Sequence, residues 1–260
     1  MVSRVYAYAI IDSNERIDKA IKGLGGSQVF NIPYHDIGVA ASHLNGEIQD
    51  ISPHAKDFGM GSNKDYVLEH EKVVEKLMEK FTALPVRFFT IFNKKEDVFS
   101  MTKNYYNDFR RNLDRLHGKV EFGIKVIWPG DKTKERIINA CGRENQKVPV
   151  LGDSPGKRFI KEKFEEYKID KKFKEEANRY IRIVDDFFSK FAAEKKLEKL
   201  KNTNLLLNAS YLVEREKQDS FKKAFEQFRR EHCDLKYLFS GPWPAYNFVT
   251  LKKKAQQWTK

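Results

Sequence analysis

The spacing of apolar residues changes several times along the chain, and each change marks an element. Residues 4–11, "RVYAYAII", are rich in β-formers and apolar on both faces, the pattern of a buried strand. In "DSNERIDKAIKGLGG", Ser13 or Asn14 offers a cap, Ile17 and Ile21 share a face, and glycines follow, which predicts a short helix. "SQVFNIPYHDIGVAASHL" reads as two strands joined near residues 33–36. Residues 45–63 are polar and punctuated by Pro53, Gly59 and Gly61, a loop pattern. Over residues 64–81, Val67, His70, Val73, Val74, Leu77 and Phe81 fall on one helical stripe. "LPVRFF" at 84–89 reads as a strand opened by proline. A second amphipathic helix is predicted over 97–116, with Val98, Met101, Tyr105, Phe109, Leu113 and Leu116 inward and Gly118 as its stop.

The same plan restarts after Gly118. In "KVEFGIKVIW", Val120, Phe122, Ile124, Val126 and Trp128 alternate with more polar residues, as in a half-buried strand. Residues 129–156 read as loop with one short helix near 134–140. Residues 155–194 are helical in pattern. Ile160, Phe164 and Tyr167 form one stripe; Phe173, Ala177, Tyr180, Val184, Phe187 and Phe191 form another, out of phase with the first. A rod of that length is too long for a compact domain at about 1.5 Å per residue, so a kink or new start is expected at Ile169–Asp170. A short strand fits near 197–200, and "NLLLNASYLVE" at 204–214 is a strand with Leu205, Leu207, Ala209, Tyr211 and Val213 on one face. Phe221, Ala224, Phe225, Phe228 and His232 mark a helix, and "LKYLFSGPWPAYNFV" is the last strand. Pro242 and Pro244 donate no ladder hydrogen bonds, which places that strand at a sheet edge.

The expected architecture is therefore α+β in two domains. Residues 1–118 form a small mixed α+β sheet domain. Residues 119–260 form a modified ferredoxin-like βαββαβ domain with a long helical region.

Composition narrows the function classes. The 260 residues carry 49 Lys+Arg against 37 Asp+Glu, so 49 − 37 gives +12. The signs are interleaved, as in "KEKFEEYKIDKKFKEEANR", which reads as a solvated helix face rather than a nucleic-acid patch. Two distant cysteines, Cys141 and Cys233, give neither a disulfide framework nor metal spacing and fit a reducing compartment. The opening "MVSRVYAYAIIDSNERI" is too short in its apolar run to span a membrane and lacks the form of a signal peptide, so a cytoplasmic protein is expected.

No catalytic signature emerges. "GLGGSQ" at 23–28 lacks dinucleotide spacing, no P-loop or Gly-x-Ser-x-Gly elbow occurs, and Val74 stands where the second histidine of a zinc-protease helix belongs. Neither cofactor nor metal is expected. A ferredoxin-like nucleic-acid binder is the alternative, weakened because the strand at 204–214 offers Tyr211 as its lone aromatic. His70–Glu71 and Arg87 are expected to meet, as a docking site or as a structural Glu71–Arg87 ion pair; the pair is favoured, because partly buried charges need partners. Trp243, Tyr246 and Phe248 are either packing for the edge strand or an aromatic anchor for a partner protein.

The ordered stretches "VYAYAII", "VFNIPYHDIGVAAS", "HEKVVEKL", "LPVRFFTIF", "HGKVEFGIKV", "LNASYLVERE" and "GPWPAYNFV" resemble the gas vesicle protein family GvpF/GvpL over nearly the whole chain. Ala245 departs from the family by standing where a second proline is often found, and Phe89 by standing where a glycine is common. The resemblance implies a non-enzymatic accessory or minor structural protein of gas vesicle assembly. Such a protein binds the small hydrophobic shell protein and other accessory proteins, with no nucleic acid or membrane. On that implication Trp243, Tyr246 and Phe248 become the expected partner-binding residues.

Overall fold

The first sheet is built outward from seven consecutive buried residues, Val5–Ile11, which form β1. The computed structural model describes residues 4–44, 62–145, 154–199 and 204–252. By chain contacts it divides into two units, Met1–Glu121 with Pro242–Lys260 and Phe122–Gly241. Residues 242–252, expected in the second domain, thus belong with the first.

In the first unit, β1 pairs antiparallel with β3 (Ile37–His43) on one side. On the other it pairs antiparallel with the short β4 (Ala83–Pro85) and β5 (Ile91–Phe92). β2 (Val29–Tyr34) forms a hairpin with β3 through His35 and Asp36 and lies at the sheet edge. Two helices, α1 (Ser62–Met78) and α2 (Lys95–Leu116), pack against β1, which explains why no face of that strand is polar. All six residues expected on the inner stripe of α2 are buried. On α1, His70, Val73, Val74 and Leu77 are buried, whereas Val67, on the same stripe nearer the helix start, is exposed.

One expected element is absent here and another is cut short. Residues 13–23 form no α-helix; one 3-10 turn, Leu24–Gly26, follows them. The short polar side chains compete for the backbone: Ser13 Oγ accepts the Glu15 N–H at 3.1 Å and Asp18 Oδ1 the Ala20 N–H at 2.9 Å. Asn31 Nδ2 then donates to the carbonyls of Ser13 and Glu15, at 3.0 and 2.8 Å, and ties the segment along β2. Ile17 and Ile21 still reach the core without a helix. The strand expected over 84–89 stops at Pro85; beyond it the backbone turns, and Phe89 adopts φ 65°. The polar loop expected at 45–63 lies, up to residue 61, outside the described residues.

The second sheet has the order β7-β8-β6-β9. Its strands are β6 (Lys119–Ile127), β7 (Glu194–Lys199), β8 (Leu205–Glu214) and β9 (Lys236–Trp243). β9 is an edge strand, where the loss of a donor at Pro242 is tolerated. Between β6 and β7 run α3 (Gly130–Asn145) and α4 (Pro155–Phe188), and α5 (Gln218–Glu231) joins β8 to β9. α3 is longer than the short helix expected near 134–140. The core is aromatic: Phe122 stacks on Phe221 at 5.0 Å, Phe225 on Phe239 at 4.3 Å, and Phe188 packs on Phe228 at 5.0 Å.

α4 corrects the expected kink. It runs unbroken for 34 residues through Ile169 and Asp170. Nothing in its interior after Gly156 removes a backbone donor or frees the chain, since neither proline nor glycine recurs before Phe188. The phase change between its two stripes is real but marks a change of environment. Phe173, Ala177, Ile181, Val184 and Phe188 are buried, while the first four turns are exposed nearly all round. The mixed α+β fold with antiparallel pairing thus stands.

Candidate functional site

β9 ends at Trp243, and from Pro242 onward the chain packs within the first unit as a strap over residues 242–252. Pro244 follows the last residue of β9, and the strap turns on itself. The Pro244 carbonyl accepts the Tyr246 N–H at 2.7 Å, and the Ala245 carbonyl accepts the Phe248 N–H at 3.0 Å.

The strap is held by a row of polar side chains that read its backbone. Glu121, itself buried, accepts the Asn247 N–H at 2.9 Å with one oxygen and the Asn247 side-chain amide at 2.5 Å with the other. Asn112 on α2 acts as a strand would: its Oδ1 accepts the Thr250 N–H at 3.0 Å and its Nδ2 donates to the Thr250 carbonyl at 2.7 Å. Arg115 donates to the Phe248 carbonyl, and Asp108 accepts the Lys252 N–H at 3.0 Å. Tyr246 Oη donates to Glu71 on α1 at 3.0 Å. Bonds to ionised groups are stronger than neutral ones, so this row fixes the register of a segment with little regular structure.

The expected site residues therefore divide. Phe248 is 1% exposed, and its ring is a core side chain of the first unit. Tyr246 is half-buried, its hydroxyl committed to Glu71. Trp243 alone keeps an exposed ring, at 37%. The Glu71–Arg87 pair does not form: Glu71 meets Tyr246, and Arg87 is exposed where the backbone turns out after β4. Burial pushes the Glu71 carboxyl up, against the lowering pull of the Tyr246 hydroxyl. The strap's side-chain and backbone readers were not legible in the sequence. The pairing of Asn112 with Thr250 spans 138 positions, and no periodicity reports it.

Beneath α1 lies a buried polar network. Tyr6 Oη accepts the Phe89 N–H at 3.2 Å and contacts His70 Nδ1 at 2.9 Å. Which of the Tyr6 hydroxyl and His70 Nδ1 donates in this contact follows from the tautomer of the ring. Burial drives the His70 pKa down to about 4, so the ring is neutral near pH 7. Tyr8 Oη pairs with Ser42 Oγ at 2.9 Å and accepts the Leu24 N–H at 2.8 Å. The network pins the turn at Phe89, whose buried ring offsets a backbone conformation costly for a side chain. A positive φ at this position is a conformation that glycine adopts without strain.

The second unit carries a cavity of about 250 Å³ lined in part by Lys132, Arg136, Glu176 and Asp234. Arg136 bonds Glu176, and Tyr180 Oη donates to Asp234 at 3.2 Å. Among the described residues no group of three His, Cys, Asp or Glu side chains stands close enough to hold a metal ion, and no helix is long and apolar enough to cross a membrane.

The family model described as "Gas vesicle synthesis protein GvpL/GvpF" matches residues 4–250 of the chain. The chain belongs to the GvpL/GvpF family. Within this family, it is 25% identical to gas vesicle protein F1 of Halobacterium salinarum, over 99% of this chain and 98% of that one. It is 19% identical to gas vesicle protein L of a Streptomyces species, over 96% and 94% of the two chains. Crystal structures of GvpF from Anabaena sp. and from Microcystis aeruginosa each superpose with a TM-score of 0.76. They are 18% and 19% identical to this chain, cover 96% of it, and are themselves covered over 98% and 100%. The fold of these GvpF structures is thus shared over 96% of the chain, and the family match takes in the strap's residues up to 250.

Proposed function

We propose that this chain is an accessory or minor structural protein of gas vesicle assembly that works in the cytoplasm without a catalytic step. It binds the small hydrophobic shell protein and other accessory proteins of the same vesicle. The observation that carries this reading is the family match from residue 4 to residue 250. The second unit supports a ferredoxin-like reading: its strands, taken in chain order as first to fourth, lie 4-1-3-2 across the sheet, with helices after the first and third. Such a frame offers a rigid platform to partners and needs no cofactor.

Of the three aromatics expected to bind partners, Trp243 is the one we retain for that role. It stands half out of the edge strand, and aromatic rings dominate protein interfaces. Tyr246 and Phe248 act one step back, by holding the strap that follows it. A nucleic-acid function finds no support in β8, where Tyr211 is fully buried beneath aromatic neighbours instead of displayed for stacking.

The test is removal of this gene from a host carrying the complete gas vesicle cluster. Loss of vesicles, restored by the wild-type chain and not by a Trp243→Ala variant of unchanged melting temperature, is the expected result. Normal vesicle yield without the gene contradicts the assembly role; full rescue by the variant contradicts the role of Trp243 alone.

A further inference from the structure

The first half of α4 presents four large apolar side chains to solvent on consecutive turns. Phe159 is 61% exposed, Ile160 69%, Phe164 57% and Tyr167 64%. Ile160, Phe164 and Tyr167 follow i, i+4, i+7 spacing and form a continuous stripe. At 3.6 residues per turn this stripe is rotated by roughly a third of a turn from the face that carries Phe173, Ala177, Val184 and Phe188 into the core. A straight helix therefore cannot bury both on its own sheet. Nor is the stripe a consequence of a chain short of polar residues, because Lys, Arg, Glu and Asp fill most of the remaining positions from 157 to 172. An exposed helical segment of four turns is marginal on its own, and an uncovered apolar stripe on it marks a binding surface.

The charges beside the stripe say what fits there. On the helical wheel Lys161 and Lys168 line one edge, Lys163 and Asp170 the other, while Glu162, Glu165 and Glu166 lie behind. Lys168 Nζ sits 5.2 Å from the Phe164 ring centre, and Lys163 bonds Glu166 at 2.7 Å. A second copy of the same segment laid antiparallel brings Lys161 and Lys168 against the same lysines. An anionic membrane meets Glu162, Glu165, Glu166 and Asp170 on the sides and back of the same helix, unlike the basic polar face of a membrane-surface helix.

We propose that residues 155–170 of α4 form a docking arm whose Ile160–Phe164–Tyr167 stripe takes an amphipathic helix of a partner protein with acidic residues beside its apolar face. The mode is helix-on-helix, with aromatic side chains as anchors and lysines selecting the partner. The proposal deepens the assembly reading and rests on it for the origin of the partner alone.

The experiment uses the full chain and two synthetic amphipathic peptides with the same leucine stripe, one edged by glutamate and one by lysine. Fluorescence anisotropy should show the glutamate peptide binding at least about 10-fold more tightly, with the gap shrinking in high salt. Ile160→Glu with Phe164→Glu should abolish binding while circular dichroism and melting temperature stay unchanged, since both side chains are exposed. Lys161→Glu with Lys168→Glu should reverse the preference between the peptides. Equal affinity for both peptides, or none for either, overturns the proposal. So does a concentration-dependent dimer that the Ile160→Glu, Phe164→Glu variant loses, or binding to phosphatidylserine vesicles in place of the peptide. In the host cluster, vesicles that form normally with that variant but vanish without the gene overturn the arm and leave the assembly role intact.

Discussion

The strap at 242–252 and the first half of α4 are both aromatic, both lysine-flanked, and opposite in fate. Trp243, Tyr246 and Phe248 head a segment with almost no regular structure, yet Phe248 is buried and the backbone is held by Glu121, Asn112, Arg115 and Asp108. Phe159, Ile160, Phe164 and Tyr167 stand on a perfectly regular helix and touch mostly water. Regularity of the backbone and burial of the side chain are thus independent here. What decides burial is whether another element offers polar partners for the backbone and an apolar hole for the ring. The strap finds both in the first unit; the helix, with its backbone bonds closed internally, has no need of either.

The largest expected effect comes from emptying the strap's hole. Phe248→Ala should cost about 3–5 kcal/mol, as deletion of a fully buried aromatic does, read as a lower urea midpoint at unchanged slope. Less than about 1 kcal/mol would put the ring outside the core.

Acidification attacks the anchor helix under the strap. His70 has a folded pKa near 4, below its unfolded value of about 6.5. Its contribution is complete above pH 6.5 and is lost as the pH falls toward 4, because the unfolded chain takes up the proton first. The loss should reach about 3 kcal/mol. The raised carboxyl of Glu71 works in the opposite direction, so the difference between wild type and His70→Gln isolates the histidine. A variant with the same pH profile as wild type would contradict the neutral, buried ring.

A smaller effect sharpens the backbone argument. Asn112→Ala leaves the Thr250 N–H and carbonyl without their side-chain partner and should cost about 1–3 kcal/mol. Hydrogen exchange at Thr250 should accelerate in that variant, and protection equal to wild type would count against the clamp. The smallest effect belongs to the arm. Phe164→Ala should change stability by less than about 0.5 kcal/mol, and a loss as large as that of Phe248→Ala would erase the contrast.

The regular parts of the fold were legible because they rest on periodicity. The stripes of α2 and α5 each describe one helix facing one core, and the unbroken apolar run of β1 describes a strand buried on both faces. The expected helix at 13–23 failed for a tertiary reason: Asn31 takes the carbonyls of Ser13 and Glu15 that a helix would have used. The two stripes of residues 155–188 were visible, but a phase shift reads equally as a kink or as one helix with a second, uncovered face. The aromatics at 243–248 are visible too, without any sign that the chain folds back so that Glu71 receives Tyr246 and Glu121 receives Asn247. Local pattern marks Glu71 as a partly buried acid and offers Arg87 as its partner. Its real partner, Tyr246, lies 175 residues away, beyond the reach of local pattern.

Hydroxyl-radical footprinting of the full chain tests the contrast in one measurement, because it reports side-chain exposure residue by residue. Phe164 and Tyr167 should be modified at rates typical of free helical side chains, with Phe248 strongly protected and Trp243 between them. Modification of Phe248 as fast as Phe164, or protection of Phe164 and Tyr167 in the isolated chain, would contradict an inward strap and an outward arm.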